Sequence, residues 1–545
     1  MRLEYKWQAT LIVAMGLFMA VLDNTVVNVA LPSIDNFFHV ANYNDVVWVA
    51  TAYFLAQAAV IPAVGNLSDI FGSKIVFLIG LACFTLGSGL CVIAPNLGFL
   101  IAFRVFQGLG GGALLPIVYA IAFKQFPPYQ RGMVSATIGV PVLLAPAFGP
   151  TIGGYLTSYF DWRAIFMVNL PIGVLVFLLG SFILKGRAAE QQSELQQKPA
   201  NQVKKPFDFL GLFLAMSGVT SLVYGISLAS INGWADETVR ISMITGAGIL
   251  VVFILVELFV AKDPVMDLRL FRHYSFSIGN VLIGFIGAFF FGSVMLFPIF
   301  FQNGLGYSPL NSGEIFILQG LTTTFGVFLS GRLYNKIGPR ALVALGIFLV
   351  AISSLGLTNL SLSTTGWSIQ GWLVLRGFGF GITNTPLQTF ILSRVENIHL
   401  ARASSLVSVM RQIFSAIGVA WITTYFAQQA GTHGQSIAQT IQSQLAAHPP
   451  TGVAAQCISQ FSAHGQTAIT NCIGNYIATN ALIAGVNDTF TIVMYFLFIG
   501  ALIALFIGRD INVQKLKQSL KAGLPTDTQF SADSDRDEIP MFAGE

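Results

Sequence analysis

Runs of about 20 apolar residues, each long enough to cross a hydrocarbon core of about 30 Å as a helix, recur along the whole chain with polar connectors between them. Fourteen such runs fall near residues 9–31, 46–67, 75–94, 98–121, 134–156, 165–184, 208–230, 239–261, 277–301, 313–332, 341–360, 369–392, 405–427 and 489–508. The pattern predicts an all-α polytopic membrane protein. The most hydrophilic connector is 185–206, and the stretch after Arg509 is polar enough to read as a disordered tail. One late connector, 428–488, is long yet holds no Lys, Arg or Glu and no Asp before Asp488; it predicts a hairpin capping the outer mouth.

The runs repeat in two sets. GNLSDIFGSK (65–74) is echoed by GRLYNKIGPR (331–340), and RVFQGLGGG (104–112) by RGFGFGITN (376–384). Two independent echoes at nearly one displacement along the chain predict two homologous six-helix halves in the same orientation, an arrangement suited to alternating access. The expected division is 1–184 for the first half, 185–206 for a cytoplasmic linker, and 207–262 for two inserted membrane helices. Residues 263–509 form the second half, with 428–488 as its outer loop, and 510–545 form a cytoplasmic tail.

Composition agrees: 54% of residues are hydrophobic, 10% are charged and the mean hydropathy is +0.72. A soluble domain carries about 25% charged residues. A net charge of +4 leaves no footprint for nucleic acid. The first run is too long for a signal peptide and lacks a small-residue cleavage site, so it reads as a retained helix. Of the 28 Lys and Arg, 23 fall in alternate connectors and the termini, which predicts that both termini are cytoplasmic. Arg104, Arg376 and Arg411 lie within spans. No Walker lysine motif occurs, so ATP is not expected to be the direct energy source.

The chain resembles the fourteen-span branch of the major facilitator superfamily, the EmrB/QacA-type drug–proton antiporters, over essentially its whole length. The resemblance is carried by LDNTVVNVALPSI (22–34), by Gly65, Leu67, Asp69, Gly72 and Lys74, by Arg104, Gln107, Gly108 and Gly110, by Gly149, Pro150, Gly153 and Gly154, and by WRAIFMVNLPIG (162–173). It implies the major facilitator fold and a proton-coupled exporter of small amphipathic or cationic compounds in a bacterial inner membrane. Its partners would be a small-molecule substrate, protons and the lipid bilayer, acting as a monomer with no cofactor or metal and no enzymatic activity. It also implies that the helix-five motif accompanies antiport. A dedicated exporter of a lipid, siderophore or other metabolite stays open, as does a non-transporting sensor or scaffold, and so does the docking of a periplasmic adaptor.

Asp23 is the prime candidate for chemistry. A carboxylate inside a span costs about 2.5–3.5 kcal/mol to insert and tends to line a pathway or pair. Arg104 lies at similar depth, so the two predict either a proton-coupling site or a static ion pair. Asn24, Asn28, Gln57, Gln107, Glu257, Glu314, Arg376, Arg411 and Asp488 are candidate polar groups of the cavity. Glu257 lies close enough to the inner edge to snorkel, and Glu314 and Asp488 sit where helices are expected to start, suiting them to caps. Arg376 and Arg411 are expected to pair with an acid or a substrate, or to serve the interface between halves. Gly65, Asp69, Gly72, Lys74, Gly331, Arg332 and Arg340 are candidate gating residues, with Asp69 capping helix three and a latch biasing the access states. Gly149, Pro150, Gly153 and Gly154 predict a kink and a close-packing face. Cys457 and Cys472 are candidates for a disulfide on the oxidising side. The spacing of His433, His448 and His464 is not a ligand spacing.

Overall fold

The structure, a computed structural model, describes residues 4–39, 43–186, 208–261, 264–393, 395–396, 399–446, 451–461 and 466–508. The linker beyond 186, the tail, His448 and His464 lie outside the described residues. Among these residues there is no β-strand. The first half comprises α1 (Tyr5–Phe38), α2 (Tyr43–Phe71), α3 (Ser73–Val92), α4 (Leu97–Lys124), α5 (Arg131–Tyr159) and α6 (Ala164–Ile183). Two further helices follow, α7 (Phe209–Asn232) and α8 (Glu237–Phe259). The second half comprises α9 (Tyr274–Gly304), α10 (Pro309–Ile337), α11 (Pro339–Leu355), α12 (Gln370–Ile391), α13 (Leu400–Ala446), the short α14 (Gly452–Phe461) and α15 (Gln466–Ala504).

Eleven described helices are long and apolar enough to cross a membrane, or twelve if α5 is one span despite a 45° bend between Pro146 and Thr151. The bend falls on the stretch that carries Gly149 and Pro150; a proline inside a helix removes a backbone donor and crowds the preceding turn. Beyond the bend, α5 lies against α1: a Cβ on Gly149 would meet Thr25, and one on Gly153 would sit 3.0 Å from the Val26 carbonyl. Two expected spans fall short by the same measure. Helix α11 has 17 residues, and α12 carries Arg376, Asn384 and Gln388. Helix α9 widens into π-helix at Ile286–Phe291 and Ile299–Gly304.

The connector 428–488 is mostly helix among the described residues. Helix α13 runs for 47 residues and α15 for 39, so both continue far beyond the apolar stretches that predict them. Hydropathy finds the part of a helix that lipid surrounds and is blind to its continuation in water. Cys457 of α14 and Cys472 of α15 are disulfide-bonded, and His433 Nε2 lies 2.8 Å from Asp488 Oδ2, tying α13 to α15. Asp488 is therefore no helix-start cap: it sits deep within α15. Glu314 is not one either, because Ser308 caps α10 and Glu314 is exposed a turn and a half later.

Lys74, Lys124, Arg131, Lys336, Arg340 and Arg402 gather at one end of the bundle, called here the basic end. There the halves touch directly: α5 packs along α10, and α2 along α13. At the opposite, far end, α5 packs on α1 of its own half.

Candidate functional site

The glycines of GLGGG remove side chains from two faces of α4, so α2 approaches it on one side and α3 on the other. A Cβ on Gly108 would lie 2.6 Å from the Tyr53 carbonyl, and one on Gly110 2.4 Å from the Gly80 carbonyl. This approach seals Arg104 and Gln107 inside the first half opposite α1. Asp23 is 2% exposed and Arg104 1%. Arg104 Nη1 donates to Asp23 Oδ2 at 2.5 Å and to Gln107 Oε1 at 2.7 Å, and its Nε donates to the Val49 carbonyl at 3.1 Å. Asp23 Oδ1 accepts from Gln107 Nε2 at 3.0 Å and from Asn169 Nδ2 at 2.8 Å. Gln107 Nε2 also donates to Ser88 Oγ at 2.7 Å, and the Tyr53 ring lies 3.9 Å under the guanidinium. Every donor that meets the carboxylate is an N–H group, which is the complement of an ionised Asp23.

Three helices thus meet at one carboxylate, and α2 and α3 join them through Arg104 and Gln107. Of these partners, Arg104 and Gln107 are legible as polar residues inside a span. Asn169, Ser88 and Tyr53 are not, because a neutral polar side chain in a long apolar run barely changes hydropathy.

The second half holds a counterpart without the acid. Arg376, the repeat partner of Arg104, donates to Ser354 Oγ at 3.0 Å and to Ser293 Oγ. The displacement of the first echo sets Ser354 against Ser88, and Ser293 meets Arg376 as Asp23 meets Arg104. Where the first half has a carboxylate, the second has a hydroxyl. Arg376 is wholly buried, its Nε has no hydrogen-bond partner, and the Phe290 ring lies 4.9 Å from it. Among the described residues it serves neither an acid nor the seam between the halves: its partners there all belong to its own half.

At the basic end the halves are fastened. Arg402 Nε donates to Asp69 Oδ2 at 2.6 Å, and Arg402 Nη1 to the Pro264 carbonyl at 3.0 Å. Gly65 lets the backbones meet, since a Cβ there would lie 2.7 Å from Arg402 Cα. Arg131 Nη1 donates to the Leu392 carbonyl at 2.9 Å, Asn335 Nδ2 to the Tyr129 carbonyl at 2.8 Å, and Thr389 Oγ1 to Ser135 Oγ at 2.9 Å. Gly331 packs on Ala136 across the same seam. Asp69 does not cap α3. That position belongs to Gly72, whose φ of 88° makes the turn and which has no side chain to cap with. Lys74 instead donates to the Ser181 and Leu184 carbonyls at the end of α6. Arg340 donates to the Ile507 carbonyl, and Arg332 is exposed beside Phe328; neither spans the seam.

Glu257 does not snorkel. It is 2% exposed, and its Oε1 accepts from the Val265 and Met266 backbone N–H groups at 3.0 and 3.2 Å, holding the segment that offers the Pro264 carbonyl to Arg402. Next to it, in the connector outside the spans, burial pushes the Asp267 carboxyl above its ordinary range, against the Arg269 backbone N–H and the charges of Arg269, Arg402 and His273. A carboxyl raised in the folded state makes the fold bind more protons, so this group's contribution to stability is lost as pH rises from about 4 through the raised value. Asp267→Asn keeps an acceptor for Arg269 N–H and removes the buried charge. The variant is expected to melt a few degrees higher than the parent at pH 8, with little difference at pH 4, by fluorescence-detected unfolding.

Of the remaining candidates, Asn28 is exposed, Asn24 is half-buried with Oδ1 unpartnered, and Gln57 hydrogen-bonds Tyr53. Arg411 is half-buried in α13 and donates to Gln388 Oε1 at 2.5 Å, with Tyr119 of α4 facing it from the other half. Among the described residues no group of three or more His, Cys, Asp or Glu is placed to hold a metal ion.

The sequence profile of the Major Facilitator Superfamily matches residues 13–419. The chain is 33% identical over 430 residues to the multidrug resistance protein B homolog of Mycobacterium tuberculosis, covering 77% of this chain and 76% of that protein. It is 30% identical to the fatty acid resistance protein FarB of Neisseria gonorrhoeae, covering 88% and 92%. The crystal structure of the human organic anion transporter MFSD10 aligns with a TM-score of 0.57 at 14% identity, covering 91% of this chain and all of that one, a likeness of fold alone.

Proposed function

The chain belongs to the Major Facilitator Superfamily and is a multi-pass membrane transporter of small molecules, and on that premise we propose that it exports amphipathic compounds in exchange for protons. The observation that carries this reading is the sealed Asp23–Arg104 pair. A proton on Asp23 removes the charge that holds Arg104 and converts an acceptor into a donor, so the network joining α1, α3, α4 and α6 must rearrange. Helix α1 packs on the outer half of α5, and the inner half of α5 forms the seam with α10. A change at Asp23 therefore has a mechanical route to the closure at the basic end.

The basic end is read as cytoplasmic, from the placement of Lys and Arg. The state described here is then closed to the cytoplasm, with Asp69–Arg402 as its latch, and export ends with the substrate released at the far side. The chain is read as a monomer of a bacterial inner membrane with both termini cytoplasmic, and its energy source is the proton gradient with no cofactor. One carboxylate in the first half and a hydroxyl at the matching place in the second favour one proton per cycle. Each pH unit then supplies about 1.4 kcal/mol.

Multidrug export is favoured by the mycobacterial relative, and export of a lipid by FarB. Everted vesicles acidified by respiration test the reading. Adding a transported compound should draw protons out and dissipate the pH difference within seconds. No dissipation by any member of a panel of amphipathic drugs and lipids, with the protein shown folded, would sink it.

A further inference from the structure

Interior charge in the described spans is unevenly shared. Asp23 and Arg104 cancel. Glu257 is committed to backbone N–H groups at the basic end. Arg376 and Arg411 then remain in the second half, and among the described residues no carboxylate bears on either: burial alone acts on Arg376, and the ionisable neighbour of Arg411 is Tyr119. A cation within a membrane span is costly, and it pairs or marks a pathway.

The two arginines differ in access. Arg376 is sealed behind Phe290, Phe297, Ser293 and Ser354 and acts as a fixed positive charge. Arg411 is only half-buried. It stands about three turns, or about 16 Å, along α13 from the start of that helix. That places it just beyond the closed seam, on the floor of any space that opens from the far side. Around it, Gln388 reaches over from α12 and the Tyr119 hydroxyl comes from α4 of the other half. Three residues on, Phe414 shares the helix face and lies against Gly284 of α9, giving an apolar surface beside the cation.

We propose that Arg411, flanked by Gln388 and Tyr119, is the docking point for the acidic head group of an amphiphilic anion whose apolar chain lies along Phe414. A carboxylate here gains a charge-assisted fork from the guanidinium and supplies the acidic partner that Arg411 lacks among the described residues. A cationic amphiphile at this point meets a guanidinium with no carboxylate beside it among the described residues, so the cationic part of the substrate range expected from sequence falls away. Because α13 packs on α4 of the other half, an anion bound at Arg411 lies beside the seam that must open. The assignment rests on the proposed export of amphipathic compounds and names their charge.

Direct binding separates this assignment from the transport reading. The full chain in lipid nanodiscs is titrated with decanoate, decyltrimethylammonium and decanol, which share a chain and differ in head group. Decanoate is expected to bind saturably and at least about tenfold more tightly than decyltrimethylammonium. Arg411→Gln should weaken decanoate about tenfold or more while leaving decanol unchanged, which also shows that the variant is folded; Arg411→Lys should keep most of the decanoate affinity. Tighter binding of the cation, no saturable decanoate binding, or decanoate affinity indifferent to Arg411→Gln each overturns the assignment. Arginine-dependent decanoate binding without any pH response in vesicles would instead uphold the anion site and defeat antiport.

Discussion

Asp23→Asn is expected to abolish export driven by a pH difference, bringing transport in proteoliposomes to the level of empty vesicles. The substitution keeps the shape of the side chain, and its oxygen can still accept from Gln107 and Asn169. What it loses is the charge facing Arg104 and the ability to carry a proton. Arg104 would be left buried with an amide opposite it, and removing one partner of a buried pair costs about 3–5 kcal/mol. The single variant should therefore be both inactive and less heat-stable. Combining it with Arg104→Gln removes the stranded charge, so much of the stability should return while transport stays absent. That split separates chemistry from packing. Proton-driven export surviving in Asp23→Asn would defeat the coupling role, and full transport in the double variant would show that the pair is scaffolding.

The latch carries the second large effect. Asp69 and Arg402 come from different halves and meet at 2.6 Å, with Arg402 nearly buried and Asp69 partly exposed. A hydrogen bond between charged groups in such a place is worth about 1.5–3 kcal/mol, enough to shift a two-state equilibrium by about tenfold or more. Asp69→Asn should weaken closure at the basic end. In a variant whose free cysteines, Cys83 and Cys91, are replaced, a cysteine introduced by Thr389→Cys lies behind the latch where Thr389 meets Ser135. Its labelling from the basic side should speed up about tenfold in the Asp69→Asn background, and transport should fall comparably. Exchanging the charges, Asp69→Arg with Arg402→Asp, should recover part of the closure only, because the bond from Arg402 to the Pro264 carbonyl is lost. Unchanged labelling in Asp69→Asn would show that the backbone contact at Gly65 holds the seam without the ion pair.

The sequence is most informative where chemistry is expensive. A carboxylate and a guanidinium inside apolar runs stand out by their cost, and counting helical rise from the helix ends puts Asp23 and Arg104 at one level without knowledge of any contact. The repeat is equally legible, but its displacements carry Asp23 onto Phe289 or Met295, and only the structure shows that Ser293 is the group that meets Arg376. Local rules fail where the partner is distant. Asp69 sits where a cap for α3 would sit, and only the fold reveals Arg402, which lies in the other half of the chain. Glu257 obeys the snorkelling rule in position but is drawn inward by two backbone N–H groups that no pattern marks. Asp488 and Glu314 look like helix starts because hydropathy ends spans at the lipid boundary, while α15 begins about six turns before Asp488.

Helix α13 has one further property. Its 47 residues are continuous from Arg402 at the latch, through Arg411, to the segment joined by His433 to α15, a rod of about 70 Å. Pivoting such a rod by about 5° about its middle carries each tip through about 3 Å, more than a hydrogen bond tolerates. Leverage applied to the stalk outside the membrane would be felt at a bolt on the opposite side, with no loop between to absorb it.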